Sequence, residues 1–183
     1  MRKPLTLLLL ATAALALSAC GNKPQIRTEG LTEGTYLNVG PLTYQVQISR
    51  QLNPNDLEDS TYLQGIPPAQ RRLGPHETWF GIFVQVVNET SNPHPTASNF
   101  SIVDTQEHVF APIPQSIANP FSYHPRVLQG GDIIPPTNSV AGEGVIQGSL
   151  ILFKLDLPTL DNRPLEFVVT DALNNSGRVS LDV

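Results

Sequence analysis

Glycine and proline interrupt this chain at intervals too short for long helices. The sequence holds 13 glycines and 17 prolines among 183 residues. Beyond residue 21, the longest stretch free of both covers residues 96–111, whose side chains favour strand and turn. Because glycine weakens a helix and proline breaks it, an α-helical bundle is excluded. The length predicts one domain, at roughly 150 residues per domain.

The N-terminal segment has the pattern of a secretory signal. Arg2 and Lys3 precede an apolar stretch over residues 5–17, and the sequence LSAC follows at residues 17–20. A basic start, a short apolar core and small residues at its end are typical of a cleaved signal peptide. The apolar stretch is shorter than the ~20 residues that span a bilayer. Residues 17–20 resemble the lipobox of bacterial lipoproteins, in which the cysteine receives a diacylglyceryl group and becomes the new N-terminus.

The position of the cysteine favours a lipid anchor. Cys20 is the only cysteine in the sequence, so no disulfide can form within the chain. Two or more acyl chains give stable membrane attachment where one chain would be marginal. We predict a lipoprotein signal peptide over residues 1–19, a lipidated Cys20 with a flexible tether over residues 20–35, and one domain over residues 36–183. The predicted location is the extracytoplasmic face of a cell membrane or outer membrane.

The charge of the chain argues against polyanionic partners. The formal net charge is −5, from 11 basic and 16 acidic residues. Removal of Arg2 and Lys3 with the signal peptide would bring it near −7. An acidic domain lacks the electrostatic footprint of nucleic-acid binding and a basic patch for anionic lipid. We therefore predict no nucleic-acid partner, and a membrane partner only through the lipid anchor.

Apolar side chains that alternate with polar ones predict most of the domain as strands. Residues 42–49 show the period of two that is typical of a half-buried strand. Residues 79–87 are apolar on both faces, as in a central strand, and residues 100–104 and 108–110 flank a turn as in a hairpin. Further strands are predicted over residues 140–146, 149–155, 165–169 and 179–183, where Gly142, Gly144 and Gly148 mark a bulge or a close backbone approach.

One short helix is predicted after the first of these strands. Asn53 suits its N-cap, Pro54 suits its first position, and the acidic residues that follow suit its positive end. Seven or eight short strands separated by turn-rich loops favour an all-β fold, and specifically a β-sandwich.

The order of these segments resembles bacterial lipoproteins that carry an immunoglobulin-like domain of unknown function. The resemblance covers residues 36–172 and rests on residues 79–88, 100–104 and 148–153. It implies an immunoglobulin-like β-sandwich that acts as an adhesive or scaffold module, without catalytic residues. Trp79 departs from antibody-type domains, because the sequence has no disulfide against which it could pack.

The lead hypothesis for function is a non-catalytic binding or scaffold module that contacts another envelope protein or a cell-wall component through its loops or an exposed sheet edge. Phe121, Tyr123 and His124 lie in a proline-stiffened loop and are its candidate contacts, since such a loop loses little backbone freedom on binding. The alternative for Phe121 and Tyr123 is that they cap one end of the core. The sequence has no common hydrolase, zinc-protease or phosphate-binding motif, and no cofactor is predicted.

The alternative function is a metal-handling lipoprotein. His94, His108 and His124 could join carboxylates around a Cu(II)- or Zn(II)-like ion if their loops converge. Their separations match no common short ligand spacing, so the sequence does not predict that convergence.

Acidic residues offer a weaker case for calcium. Asp104, beside Thr105, is not among the candidate calcium ligands and is more typical of a turn, in which the carboxylate accepts hydrogen bonds from nearby backbone, than of a catalytic base. The main acidic cluster lacks the spacing of an EF-hand loop, and the start of the predicted helix accounts for it. That cluster consists of Asn55, Asp56, Glu58 and Asp59.

Overall fold

Two packed β-sheets form the body of the protein in the computed structural model, which describes residues 26–183. The predicted signal peptide and Cys20 lie outside the described residues. Among those described, no helix has the length and apolar character needed to cross a membrane. The strands are β1 (Glu29–Gly30), β2 (Tyr36–Val39), β3 (Leu42–Leu52), β4 (Glu77–Val87), β5 (His94–Pro95), β6 (Asn99–Val103), β7 (Val109–Phe110), β8 (Val127–Leu128), β9 (Ile133–Ile134), β10 (Ser149–Asp156), β11 (Glu166–Thr170) and β12 (Ser176–Ser180).

The predicted β-sandwich is confirmed. One sheet has the order β1-β12-β11-β6-β7, and the other has the order β10-β4-β3-β2 with β9 beside β4. Within residues 26–183, seven strands have four or more residues, in agreement with the seven or eight predicted. Their division into four and three equals that of an immunoglobulin constant-type sandwich. Strand β4 pairs with both β3 and β10.

Strand β4 is central, as its sequence predicts, because apolar clusters cover both of its faces. Phe80, Ile82 and Val84 point into the core between the sheets. Trp79 and Phe83 point outward into a second cluster, the outer cluster, which covers the other face of the sheet. The remaining buried members of that cluster are Leu52, Tyr62, Ile66, Leu150 and Leu152. Trp79 therefore packs outside the sandwich core, where it needs no disulfide.

The strand predicted over residues 140–146 is wrong. Val140–Glu143 form a short helix, α2, and the Ser139 side chain caps it by accepting a hydrogen bond from Gly142 N at 3.1 Å. The cap gives Gly142 N, a backbone donor that is left without a partner at the start of a helix, a hydrogen-bond acceptor. The predicted close backbone approach is present, since a Cβ at Gly142 would collide with the Pro136 carbonyl oxygen.

The predicted helix exists, but it begins later than expected. Helix α1 spans Leu57–Tyr62, and its N-cap is Asp56, which accepts hydrogen bonds from Glu58 N and Asp59 N. Asn53 was the wrong cap because its side chain accepts a hydrogen bond from Asn55 N at 3.0 Å and closes a separate turn. Short 3₁₀ helices follow at Pro68–Gln70 and Leu157–Asp161.

The chain joins the sandwich earlier than residue 36. Strand β1 pairs in parallel with β12, with Glu29 opposite Arg178 and Gly30 opposite Val179. The predicted tether over residues 20–35 thus includes a part that belongs to the sheet. The sequence does not predict strand β1, because two residues are too few to show an apolar periodicity.

Candidate ligand-binding cleft

A segment rich in proline covers the edge of the second sheet. We call residues 111–125 the proline strap. Its backbone bonds to edge strand β10, with Ile113 N donating to Leu152 O at 2.7 Å and Tyr123 N donating to Leu150 O at 2.8 Å. The strap also accepts a bond at Phe121 O from Leu150 N at 2.7 Å. These bonds occupy backbone groups that an edge strand would otherwise present to another chain.

A cleft lies between the strap, β10 and the start of β6. Its volume is about 220 Å³. The walls are mainly apolar, from Pro112, Ile113 and Pro114 of the strap and from the middle of β10. Its lining also includes four residues with polar side chains, Ser98, Gln115, Ser122 and His124. This combination of apolar walls and a few polar groups is typical of a ligand site.

Two buried polar atoms of this cleft have no hydrogen-bond partner within residues 26–183. They are His124 Nε2 and Gln115 Oε1. Gln115 is held in place from its other end, since its Nε2 donates to Tyr62 O at 2.7 Å and to Gln64 O at 3.0 Å. A buried polar atom without a partner costs about 1–3 kcal/mol. Both atoms are closed to solvent, so a ligand in the cleft could bond to them, and recover that free energy, only after a small movement of the cleft wall.

A second cleft of about 320 Å³ continues from the first. Ser122, His124 and Pro125 line both, so the two form one groove with His124 at its centre. The second cleft adds the exposed Ile117 and the cation of Arg126. Sequence reasoning identified His124 and missed Gln115 and Arg126, for which the density of prolines around them was the available signal.

Phe121 and Tyr123 have packing roles in the structure. The Tyr123 side chain is 8% exposed, and its hydroxyl donates to Ala97 O at 2.8 Å. Its ring meets Phe100 edge-on at a centroid distance of 5.1 Å, and burial raises the pKa of its phenol. Phe121 meets Tyr62 edge-on at 4.9 Å in the outer cluster. Tyr123 therefore packs in the core, and Phe121 packs on the outer cluster. Of the three predicted contacts, His124 is the one that lines both clefts.

The three loop histidines lie at separate places in the fold. His94 lies opposite Leu128 in a two-stranded sheet that β5 and β8 form. His108 pairs with Asp104 at the turn between β6 and β7. Across residues 26–183, no three His, Cys, Asp or Glu side chains are grouped closely enough to hold a metal ion. The convergence on which the metal-handling alternative depended does not occur.

The acidic cluster around α1 is engaged by the protein itself. Asp56 caps the helix, and Glu58 Oε1 accepts a hydrogen bond from the Tyr62 hydroxyl at 3.0 Å. Asp59 is buried in an ion pair with Arg50 and also accepts from Asn53 N at 2.8 Å. The cap, the Tyr62 hydroxyl and the Arg50 guanidinium thus each engage one of these carboxylates.

Asp104 closes the turn between β6 and β7 as predicted. Its Oδ1 accepts from Gln106 N and His108 N, both at 2.9 Å. Its Oδ2 lies 2.9 Å from both His108 Nδ1 and Asn162 Nδ2. Burial raises the pKa of this carboxyl, but these hydrogen bonds outweigh burial and hold the pKa below its ordinary value.

We expect the Asp104→Asn variant to lose less free energy of unfolding than the wild type as the pH falls below neutral. A carboxyl with a lowered folded-state pKa contributes stability above its unfolded pKa of about 3.9, and this contribution is lost as the pH falls through the folded value. Urea unfolding between neutral pH and pH 2–3 should show a smaller loss for the variant than for the wild type. Asp161→Asn, at an exposed carboxylate nearby, serves as the control and should keep the wild-type slope. An equal loss of stability with falling pH in the wild type and in Asp104→Asn would contradict a lowered pKa for Asp104.

Comparisons with known proteins support the fold. No family model and no curated protein sequence matches the chain. The YjhA protein of Bacillus subtilis has a similar structure, with a TM-score of 0.50 at 11% identity over 83% of this chain and 99% of that one. YcdA of Bacillus subtilis, named as a candidate lipoprotein, has a TM-score of 0.49 at 8% identity over 81% of this chain and 38% of that one. An uncharacterized β-sandwich protein of Clostridium difficile 630 has a TM-score of 0.42 at 7% identity over 87% of this chain and 98% of that one.

Proposed function

We propose that this protein is a lipid-anchored, extracytoplasmic binding module. Its ligand is an extended peptide segment of another envelope protein, bound without chemical conversion in the groove centred on His124. The observation that carries the proposal is the groove itself, whose mostly apolar walls include the polar residues Gln115, His124 and Arg126. The lipid anchor rests on the LSAC sequence at residues 17–20.

The chemistry of the groove favours a peptide over a glycan. A peptide offers N–H and C=O groups to the few polar residues of the groove, and its apolar side chains can pack on the strap prolines and on Ile117. An acidic ligand residue would find the Arg126 guanidinium in the second cleft. A glycan would need more hydrogen-bonding groups than these mostly apolar walls supply.

The sheet edges are less suited to the partner than the groove. The proline strap covers the edge of β10, and Asn38 N on edge strand β2 already donates to Arg27 O at 2.6 Å. The edge strand β7 has only two residues. Addition of a partner strand needs a longer row of free backbone groups than these edges offer.

The arrangement around His124 favours binding over catalysis. Within the described part of the chain, Nε2 of its imidazole has no hydrogen-bond partner. A histidine that acts as a general base is usually oriented by such a partner. Here the imidazole is one polar contact in a mostly apolar wall.

Filling the first cleft should abolish peptide binding. Ser98 is exposed at the rim, so Ser98→Trp would place an indole over the apolar wall with little effect on the core. Peptides enriched from a random display library on the wild-type domain would be synthesised and titrated by calorimetry. We expect saturable binding to the wild type and at least a tenfold weaker affinity, about 1.4 kcal/mol, for Ser98→Trp.

Thr105→Trp provides the matched control, because Thr105 is exposed at the turn between β6 and β7, away from the groove. It should bind the same peptides as the wild type. Failure to enrich any peptide, or equal binding to Ser98→Trp, would overturn the peptide proposal. A soluble cell-wall digest that binds the wild type and not Ser98→Trp would replace the peptide with a cell-wall ligand.

A further inference from the structure

The first described residues are fixed to the sandwich by bonds to both sheets. Arg27 O accepts from Asn38 N at 2.6 Å in the second sheet, and Thr28 O accepts from Arg178 N at 2.8 Å in the first. Glu33 then accepts from Ser49 N at 3.0 Å and from Asp182 N at 3.2 Å. Residues 27–33 are therefore part of the domain, and the described chain begins at a defined point on it.

That point lies at one end of the sandwich. The parallel register of β1 with β12, continued backwards from Glu29, places Ile26 level with Asn175 at the start of β12. The turn over residues 171–175 lies at this end, and a Cβ on Gly40 of the neighbouring turn would touch the Asp171 and Asn175 side chains. Leu173 stands at the tip of the 171–175 turn and is 81% exposed. We call this the proximal end.

The opposite end is separated from it by the length of β3. Leu42 begins this strand beside the Gly40 turn, and Leu52 ends it shortly before α1. Eleven residues at ~3.3 Å each give a separation of about 35 Å. Leu57, the first residue of α1, is 86% exposed and marks the distal end.

We propose that the proximal end faces the lipid surface, with Leu173 close to the headgroups and α1 directed away from the membrane. The proposal rests on the lipid anchor at Cys20 in the proposed function. Six residue steps separate Cys20 from Ile26, and a fully extended chain spans at most ~3.6 Å per step, so the reach is about 20 Å. This is less than the length of the sandwich, so the attachment point selects which end lies near the bilayer.

Energy transfer to labelled lipid tests this orientation in the full lipoprotein. The variants Leu173→Cys and Leu57→Cys replace two equally exposed leucines, and the new cysteine is the only free thiol once Cys20 carries lipid. Each purified protein would be labelled with a donor dye and reconstituted into vesicles of zwitterionic lipid that contain a headgroup acceptor. We expect a transfer efficiency at residue 173 roughly twofold or more above that at residue 57, given the ~35 Å between the two ends.

Vesicle flotation separates the orientation from the anchor. Wild-type protein should float with the vesicles, and Cys20→Ala should not. Flotation with equal transfer at the two positions, or with greater transfer at residue 57, would overturn the orientation and leave the anchor intact. Loss of flotation for both labelled proteins, or flotation of Cys20→Ala equal to that of wild type, would overturn the anchor and with it the orientation.

Discussion

Replacing Phe167 with alanine should lower the free energy of unfolding by about 3–5 kcal/mol. Phe167 is 1% exposed and joins the two sheets through aromatic contacts. Its ring stacks on Phe100 at 5.8 Å and meets Phe153 edge-on at 6.4 Å. Because surrounding strands restrict collapse of the space left behind, the loss includes both the transfer of the ring and the cavity. Urea unfolding followed by circular dichroism measures it.

Leu173→Ala is the control for this substitution, since Leu173 is 81% exposed and should change stability by less than about 0.5 kcal/mol. A loss below ~1.5 kcal/mol for Phe167→Ala would mean that the core repacks, and it would contradict the close packing of the two sheets. Phe167→Leu should fall between the variant and the wild type, because it restores part of the buried volume.

Replacing Asn88 with alanine should lower the free energy of unfolding by about 3 kcal/mol, because several buried polar groups lose partners together. Asn88 is fully buried. The two N–H groups of its Nδ2 are shared among three carbonyl oxygens, with Nδ2 at 2.7 Å from Asn92 O, 3.0 Å from Leu128 O and 3.1 Å from Gln129 O. Its Oδ1 accepts from Thr90 N at 3.0 Å. One side chain thus ties the loop after β4 to strand β8.

Asn88→Asp separates the donor from the acceptor role of this side chain. The aspartate keeps an oxygen for Thr90 but cannot donate to the three carbonyl groups, so we expect a loss at least as large as that of Asn88→Ala. Asn92→Ala, at an exposed side chain in the same loop, should remain within about 0.5 kcal/mol of the wild type. Wild-type stability of Asn88→Asp, measured by the same urea unfolding, would contradict the proposed role of the amide.

Local patterns predicted those elements whose conformation depends on neighbouring residues. The continuous apolar run of β4 requires cover on both faces, and the core and the outer cluster provide it. The turn closed by Asp104 was predictable because a carboxylate that bonds nearby backbone acts over a few residues. The same reasoning failed over residues 140–146, where the Ser139 cap and a close contact with Pro136 override the strand pattern.

The candidate site depends on contacts between distant parts of the chain. Ser98, Gln115, His124 and the middle of β10 meet only because the proline strap bonds along the edge of that strand. A loop sequence shows which aromatic residues it contains, but it does not show which of them the core requires. Tyr123 and Phe121 were equally plausible contacts until the structure placed Tyr123 in the core and Phe121 against the outer cluster.

The sequence by itself determined the all-β class, the central strand and the short helix, because glycine, proline and apolar periodicity act over a few residues. Only the tertiary structure decided the groove around His124, the separation of the three histidines and the early attachment of residues 27–33 to the sheets. These features arise from pairing across many residues, where the free energy of burial and of hydrogen bonding outweighs local preference.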